Sequence, residues 1–168
     1  MSELTEAQRA LLATRWTTGS LSGTSQTIAI ADGNGIYDLS LDFYATVDLV
    51  ADLRMNSDDT MTNYYSNGAL TNNSGSVSGN AWTDQIKVAH ALGTRRYTVD
   101  GTLHLKGGMA TRTFSYRWSH SATDFTNESY FAHGIYKVNT GTITQVRLIV
   151  TTGSITSGTY AIGKRGSA

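Results

Sequence analysis

TITQVRLIVTTGSITSGTYAIGKR, residues 142–165, is the stretch whose reading decides the fold. Val146, Leu148 and Val150 alternate with Arg147 and Thr151, and a second short run follows at 158–164. Side chains of a strand point alternately to its two faces, so a period of two marks a strand with one face buried. Between the runs lies a proline-free Thr152-Gly153-Ser154…Ser157-Gly158 segment. Two alternating runs joined by glycine and serine predict a β-hairpin, here one that closes a sandwich.

The same period governs the chain outward from there. From Leu39 to Met55 the odd positions read Leu, Leu, Phe, Ala, Val, Leu, Ala, Leu, Met, with mostly polar residues between them. Strands run about 3–10 residues, so these seventeen positions predict one long bent strand or two strands broken near 44–46. Phe43, Val47, Leu49 and Leu53 are expected in the core. Asn56-Ser57-Asp58-Asp59 reads as a turn, 61–65 as the start of a return strand, and the Gly/Asn/Ser-rich 66–80 as an exposed loop. Further strands are expected near 24–31, 83–92, 95–106, 109–120, 129–139, 142–152 and 158–164. A spacing of roughly 8–13 residues is that of an all-β sandwich or barrel, with about eight or nine strands here. No repeat of solenoid or propeller type is present.

Ser2 through Trp16 is the one helix the sequence predicts. Leu4, Ala7, Leu11, Leu12 and Trp16 form an apolar stripe at helical spacing, with Glu3 and Glu6 at the positive end. A helix this short needs a partner surface, which makes Leu4, Leu11, Leu12 and Trp16 candidate interface residues. TTGSLSG, 17–23, reads as a hinge. The expected organisation is therefore an anchor or interface segment, 1–23, followed by a β-sandwich domain, 24–168.

Composition excludes several classes. There is no cysteine, so disulfides and thiol chemistry are out, and no proline, so turns fall to Gly, Asn, Asp and Ser. Thirteen basic residues balance thirteen acidic ones, which removes the positive field that nucleic-acid binding requires. No apolar run reaches the 18–20 residues of a membrane span. MSELTEAQRALLATRW opens on acidic residues where a signal peptide needs a basic start, and the expectation is a chain made and used without secretion.

Catalytic patterns are thin. Glycoside hydrolysis needs a carboxylate pair, and Glu128 is the only glutamate of the β body, with Asp100 and Asp124 as conceivable partners. His90, His104, His120 and His133 show no metal-ligand spacing, although His90 and His104 could meet across strands. Asp58-Asp59 with Asn56 offers fewer oxygens than calcium needs. No metal, cofactor or enzymatic activity is expected. The aromatic segment 114–136 is richer: Phe114, Tyr116 and Trp118 share one strand face, and Phe125, Tyr130, Phe131 and Tyr136 follow. Aromatic rings stack on sugars, which makes Tyr116, Trp118, His120, Asn127, Glu128 and Tyr130, with Arg117 beside them, the candidate ligand site. Alternate aromatics on a strand serve a core or subunit interface equally well.

Two stretches resemble a known family. Residues 142–165 are similar to the C-terminal signature of the small jelly-roll domains found in tail, fibre and head-surface proteins of tailed bacteriophages. There an I-T-x-I-x-L/I strand leads through S/T-G-x-(I/F)-x-S-G to a last strand ending in glycine. DFYATVDLVADLRMNSDDTMTNYYSNG, 42–68, resembles that family's core strand, acidic turn and following strand. Where the family often ends Leu-Tyr-Gly, this chain has Ala161-Ile162-Gly163. The resemblance implies a jelly-roll-like antiparallel β-sandwich. It also implies a non-enzymatic structural role on the virion surface, as a head-decoration, tail-fibre or tail-tip component assembled in the host cytoplasm. The expected partners are further copies of the chain in a homotrimer and other virion proteins. The alternative expectation is a carbohydrate-binding or receptor-binding module that recognises a host-surface glycan.

Overall fold

The computed structural model describes residues 16–30, 33–71, 77–91, 93–105, 112–122, 127–138 and 141–165, without the side chains of 70, 91, 122, 127 and 128. Twelve strands occupy these residues: β1 Trp16–Gly23, β2 Ser25–Ala29, β3 Ile36–Ala45, β4 Leu49–Met55, β5 Tyr64–Thr71, β6 Val77–Trp82, β7 Ile86–Ala91, β8 Arg95–His104, β9 Arg112–Ala122, β10 Asn127–Tyr136, β11 Gln145–Thr152 and β12 Ile155–Lys164. They form an eight-stranded sheet, β1-β12-β3-β8-β9-β10-β5-β6, and a four-stranded sheet, β2-β11-β4-β7. Every neighbouring pair is antiparallel.

The segment 142–165 does not form a hairpin. β11 lies in the small sheet between β2 and β4, and β12 lies in the large sheet between β1 and β3, so the chain crosses from one layer to the other at Gly153. Hairpin and crossing share one sequence pattern, because each asks only for two half-buried strands and a turn. The same crossing recurs from β1 to β2, from β3 to β4 and from β7 to β8. Four strands of each sheet are thereby matched, β1-β12-β3-β8 over β2-β11-β4-β7, and their inner faces make the core: Leu21, Leu39, Leu41, Phe43 and Val99 meet Ile28, Leu49, Leu53, Val146 and Leu148.

Residues 39–55 divide as the break near 44–46 anticipated, into β3 and β4. Phe43, Leu49 and Leu53 are buried, but Val47 is 48% exposed, because 46–48 is the turn that carries the chain between layers and the alternation there no longer faces a core. Trp16 begins a strand, pairing with Gly163, and the expected hinge 17–23 is the rest of that strand. The helix expected up to Trp16 otherwise falls, with Leu4, Leu11 and Leu12, outside the described residues. Of the expected loop 66–80, all but 72–76 belongs to β5 and β6, which pair with each other. Their small residues carried no alternation to read, and with β1 they raise the strand number above eight or nine.

The extra strands have a defined task. β9, β10, β5 and β6 carry the large sheet past the small one, and their inner face closes over β7, the small sheet's edge. Tyr116 Oη donates to the Lys87 carbonyl at 2.6 Å, the Lys87 N–H donates to Ser66 Oγ at 3.3 Å, and Ser66 Oγ donates to the Gln85 carbonyl at 2.9 Å. An edge strand with open N–H and C=O groups invites further pairing; here side chains of the overhang satisfy it.

Candidate functional site on the outer face of the large sheet

The aromatics of 114–136 lie inside. Trp118 is 2% exposed, and Tyr116, His120 and Tyr130 are buried with it. Their rings join a seam through the interior: Trp82 edge-on to Tyr130 at 5.2 Å, Tyr130 to Trp118 at 5.4 Å, Trp118 to His120 at 5.8 Å, His120 to Tyr97 at 5.8 Å, and Tyr97 stacked on Phe43 at 5.1 Å. A ring enclosed on both sides offers no face to a sugar, so the expected stacking platform of Tyr116, Trp118 and Tyr130 is core instead. The side chains of Asn127 and Glu128 lie outside the described part, as does Asp124.

The opposite face of the same two strands is open. Register carries straight rows across the sheet, since directly paired residues point the same way. One row runs Trp16, Gly163, Asp38, Thr102, Ser115, His133, Asn67, Ala81, and the next runs Thr18, Ala161, Ser40, Asp100, Arg117, Phe131, Ala69, Gly79. Phe131 is 57% exposed and Trp16 44%. Arg117 lies over the Phe131 ring, its guanidinium carbon 6.0 Å from the centroid, a cation–π distance. Among the shallow depressions on this face, two meet at Phe131. One lies between Tyr65 and Phe131 over Ala69, Gly79 and Ala81, and the other lies between Trp16 and Phe131 over Ser40, Asp100 and Gly101.

The charges of this face are partly spent on one another. Arg165 forks onto Asp38 at 2.7 and 3.0 Å, and Arg96 onto Asp42 at 2.6 and 2.9 Å. The hydrogen bonds and charge of Arg96 hold the Asp42 carboxyl below its usual range. Asp100 accepts from Ser40 Oγ at 2.7 Å. It stands opposite Arg117 in register, yet no ion pair joins the two.

The remaining candidates are structural. The acidic turn has the left-handed backbone that asparagine tolerates, φ 52° at Asn56. Its oxygens already have protein donors: Asp58 accepts from Asn63, Tyr136 and the Thr60 N–H at 2.8–2.9 Å, and Asp59 from Arg54 and Arg147 at 2.8 and 2.6 Å. Burial raises the Asp58 pKa, but those hydrogen bonds outweigh it and bring it down to about 2. No group of three acidic or histidine side chains suited to a metal occurs among the described residues. His90 and His104 sit on strands of different sheets, β7 and β8, and are not paired in register. Asp52 and Lys87 pair across β4 and β7, both buried, with the Gln85 amide turned to donate to Asp52 at 2.8 Å and accept from Lys87 at 3.1 Å. Lys87 Nζ lies 5.0 Å above the Trp82 ring. Burial pushes Asp52 up to about 6, against the pull of Lys87 and Arg54. Such a shift can mark a reactive carboxyl, but with 1% exposure Asp52 reaches no substrate.

The chain matches no family model and no curated protein. Among solved structures, the Clostridium perfringens CspB protease aligns over 89% of this chain and 25% of its own, at 14% identity and a TM-score of 0.29. The chain thus spans about a quarter of that protein's length, and a likeness this low carries no argument about fold or function.

The aromatic face of these strands, which carries Tyr116, Trp118, His120 and Tyr130, is turned inward. Ser115, Arg117 and Ser119 are the polar half of the alternation whose aromatic half drew attention, and a one-residue step exchanges the faces. Phe131, next to Tyr130, could be assigned to neither face until the register was known.

Proposed function

We propose that this chain is a non-enzymatic structural protein on the surface of a phage-like virion, either head decoration or a tail-fibre or tail-tip component. It would act as a homotrimer docked on other virion proteins and assembled in the host cytoplasm. The observation that carries this reading is that the two stretches resembling the phage family, 42–68 and 142–165, make one structural unit. β3 pairs with β12 and β4 with β11. The acidic turn locks onto the segment entering β11: Asn56 Nδ2 donates to the Thr142 carbonyl at 3.0 Å, the Thr144 N–H donates to Asn56 Oδ1 at 2.8 Å, and Arg147 donates to the Asn56 carbonyl at 2.6 Å. Residues that carry a family resemblance for fold reasons should be interlocked in this way. Strands β1-β12-β3-β8 of the large sheet lie over β2-β11-β4-β7 of the small one, and an antiparallel sandwich of this kind is compatible with the jelly roll that the resemblance implies. The acidic residues of the turn are committed to internal hydrogen bonds, which fits an architectural protein.

Light scattering tests the assembly: a mass three times the 18.1 kDa of the chain is expected, with density for the domain on the outside of the particle in electron micrographs. A monomer that never co-purifies with particles would overturn the reading. The second reading, recognition of a surface glycan, is favoured by the exposed Phe131, Arg117, Asp100 and Trp16 on one open sheet face.

A further inference from the structure

Two of the depressions on the outer face lie on either side of Phe131, one reaching to Trp16 on β1 and the other to the small residues Gly79 and Ala81 on β6. Eight strands at about 4.8 Å spacing make the face roughly 30 Å wide. Ser40, Ala69 and Gly79 share a row with Arg117 and Phe131, so these two large side chains stand above small neighbours. We propose that this face binds a neutral oligosaccharide lying across the strands over Phe131.

The chemistry follows from three features. Phe131, 57% exposed, presents to the C–H face of a sugar the ring surface that Arg117 leaves uncovered, and Trp16, 44% exposed, supplies a second ring. Asp100 keeps acceptor capacity beyond the one bond from Ser40, and Arg117 has guanidinium N–H groups that no ion pair among the described residues consumes. One accepts from sugar hydroxyls and the other donates to them; the Ser40 hydrogen bond holds Asp100, and the stacking on Phe131 holds the Arg117 guanidinium, before a ligand arrives. Charge balance selects a neutral ligand. Asp38 and Asp42 are neutralised by Arg165 and Arg96, and Asp100 is offset by Arg117, so a uronic or sulfated chain meets no excess of positive charge. Two separated rings among hydroxyls and charges also differ from the contiguous apolar centre of a protein interface.

The inference deepens the recognition reading and stands apart from the virion reading: a glycan-binding monomer found outside any particle would keep the one and overturn the other. The test is an array of neutral and acidic oligosaccharides, four or more units long, probed with the full chain and with Phe131→Ala, Arg117→Ala and, off the face, Met61→Ala. Solution titration then follows on the best neutral hit. Binding to at least one neutral chain is expected, weakened at least tenfold in Phe131→Ala and Arg117→Ala and unchanged in Met61→Ala. Melting temperatures should stay together, since all three residues are at the surface. The proposal is overturned if no neutral chain binds, if binding is confined to acidic chains, or if both substitutions leave it intact. A fall in solution mass for Phe131→Ala would overturn it as well, by making the face a contact between copies.

Discussion

Asp52 and Lys87 show how much one pair can cost inside a small sandwich. Burying two charges is compensated only when each finds good partners, and here the Gln85 amide serves both while Trp82 covers the lysine. Desolvation still leaves Asp52 with a pKa near 6, and it lowers that of Lys87 against the attraction of Asp52 and Asp84. Because the folded pKa of Asp52 is raised, its protonation favours the folded state. That stability is fully present below the unfolded value of about 3.9 and is lost as pH rises through about 6. Between pH 7 and pH 5 the chain should therefore gain about 1 kcal/mol from this residue, read as a rise in the urea midpoint. Asp52→Asn should remove that gain, and an equal pH response in both proteins would show that Asp52 ionises normally. Trp118 belongs to the same scale. With its ring in the aromatic seam, Trp118→Ala should cost about 3–5 kcal/mol, whereas a ring used only for ligand stacking would leave the melting temperature in place.

At the scale of elements, the crossings between layers set what could be read from sequence. β3 and β4 follow an unbroken alternation of seventeen residues, yet one member of it, Val47, lies in the turn and faces solvent. Leu49→Ala should therefore cost about 2–5 kcal/mol through lost burial and a cavity, and Val47→Ala less than about 0.5 kcal/mol, measured by denaturant unfolding. Equal effects would mean that the break lies elsewhere. Gly153 makes the crossing from β11 to β12 possible. Its φ is +76°, and a Cβ there would sit 2.1 Å from the Asp48 carbonyl oxygen. Gly153→Ala should thus cost more than 1 kcal/mol through strain and displacement of the 46–48 turn. Strand identity was legible wherever large apolar residues alternate, as in β3, β4, β8, β9 and β11. Partners were not, because Val146, Leu148 and Val150 look alike whether the strand pairs with its neighbour in sequence or with β2 and β4. β5 and β6 were illegible for a different reason: Ser66, Gly68, Gly79 and Asn80 belong to an overhang whose strand character comes from pairing, β5 with β10 and β6 with β5, rather than from their own propensity. The open face of Arg117 and Phe131 was hidden by the same missing register.

For the whole molecule, the edges decide what can be removed and what can be joined. β7 is covered by the overhang, while the two ends of the large sheet, β1 and β6, have no further strand beside them among the described residues. β1 is nonetheless integral, since it pairs with β12 from Trp16 to Gly23 and buries Leu21 in the core. This moves the boundary of any detachable N-terminal segment from residue 23 to residue 15. Removing residues 1–15 should leave the melting temperature within about 2 °C, because all twelve strands and their pairings begin at or after Trp16. Removing 1–23 should lower it by several degrees, since lost burial of Leu21 alone is worth about 2 kcal/mol and domains of this size lose roughly 2–4 °C per kcal/mol. Unfolding of the shorter deletion would show that the sandwich depends on residues before Trp16. If that deletion folds, it also isolates the anchoring role proposed for the apolar stripe of Leu4, Leu11 and Leu12: a folded chain that no longer joins particles assigns docking to those residues, and one that joins normally assigns it to the sandwich, where the open edges β1 and β6 are the surfaces to alter next.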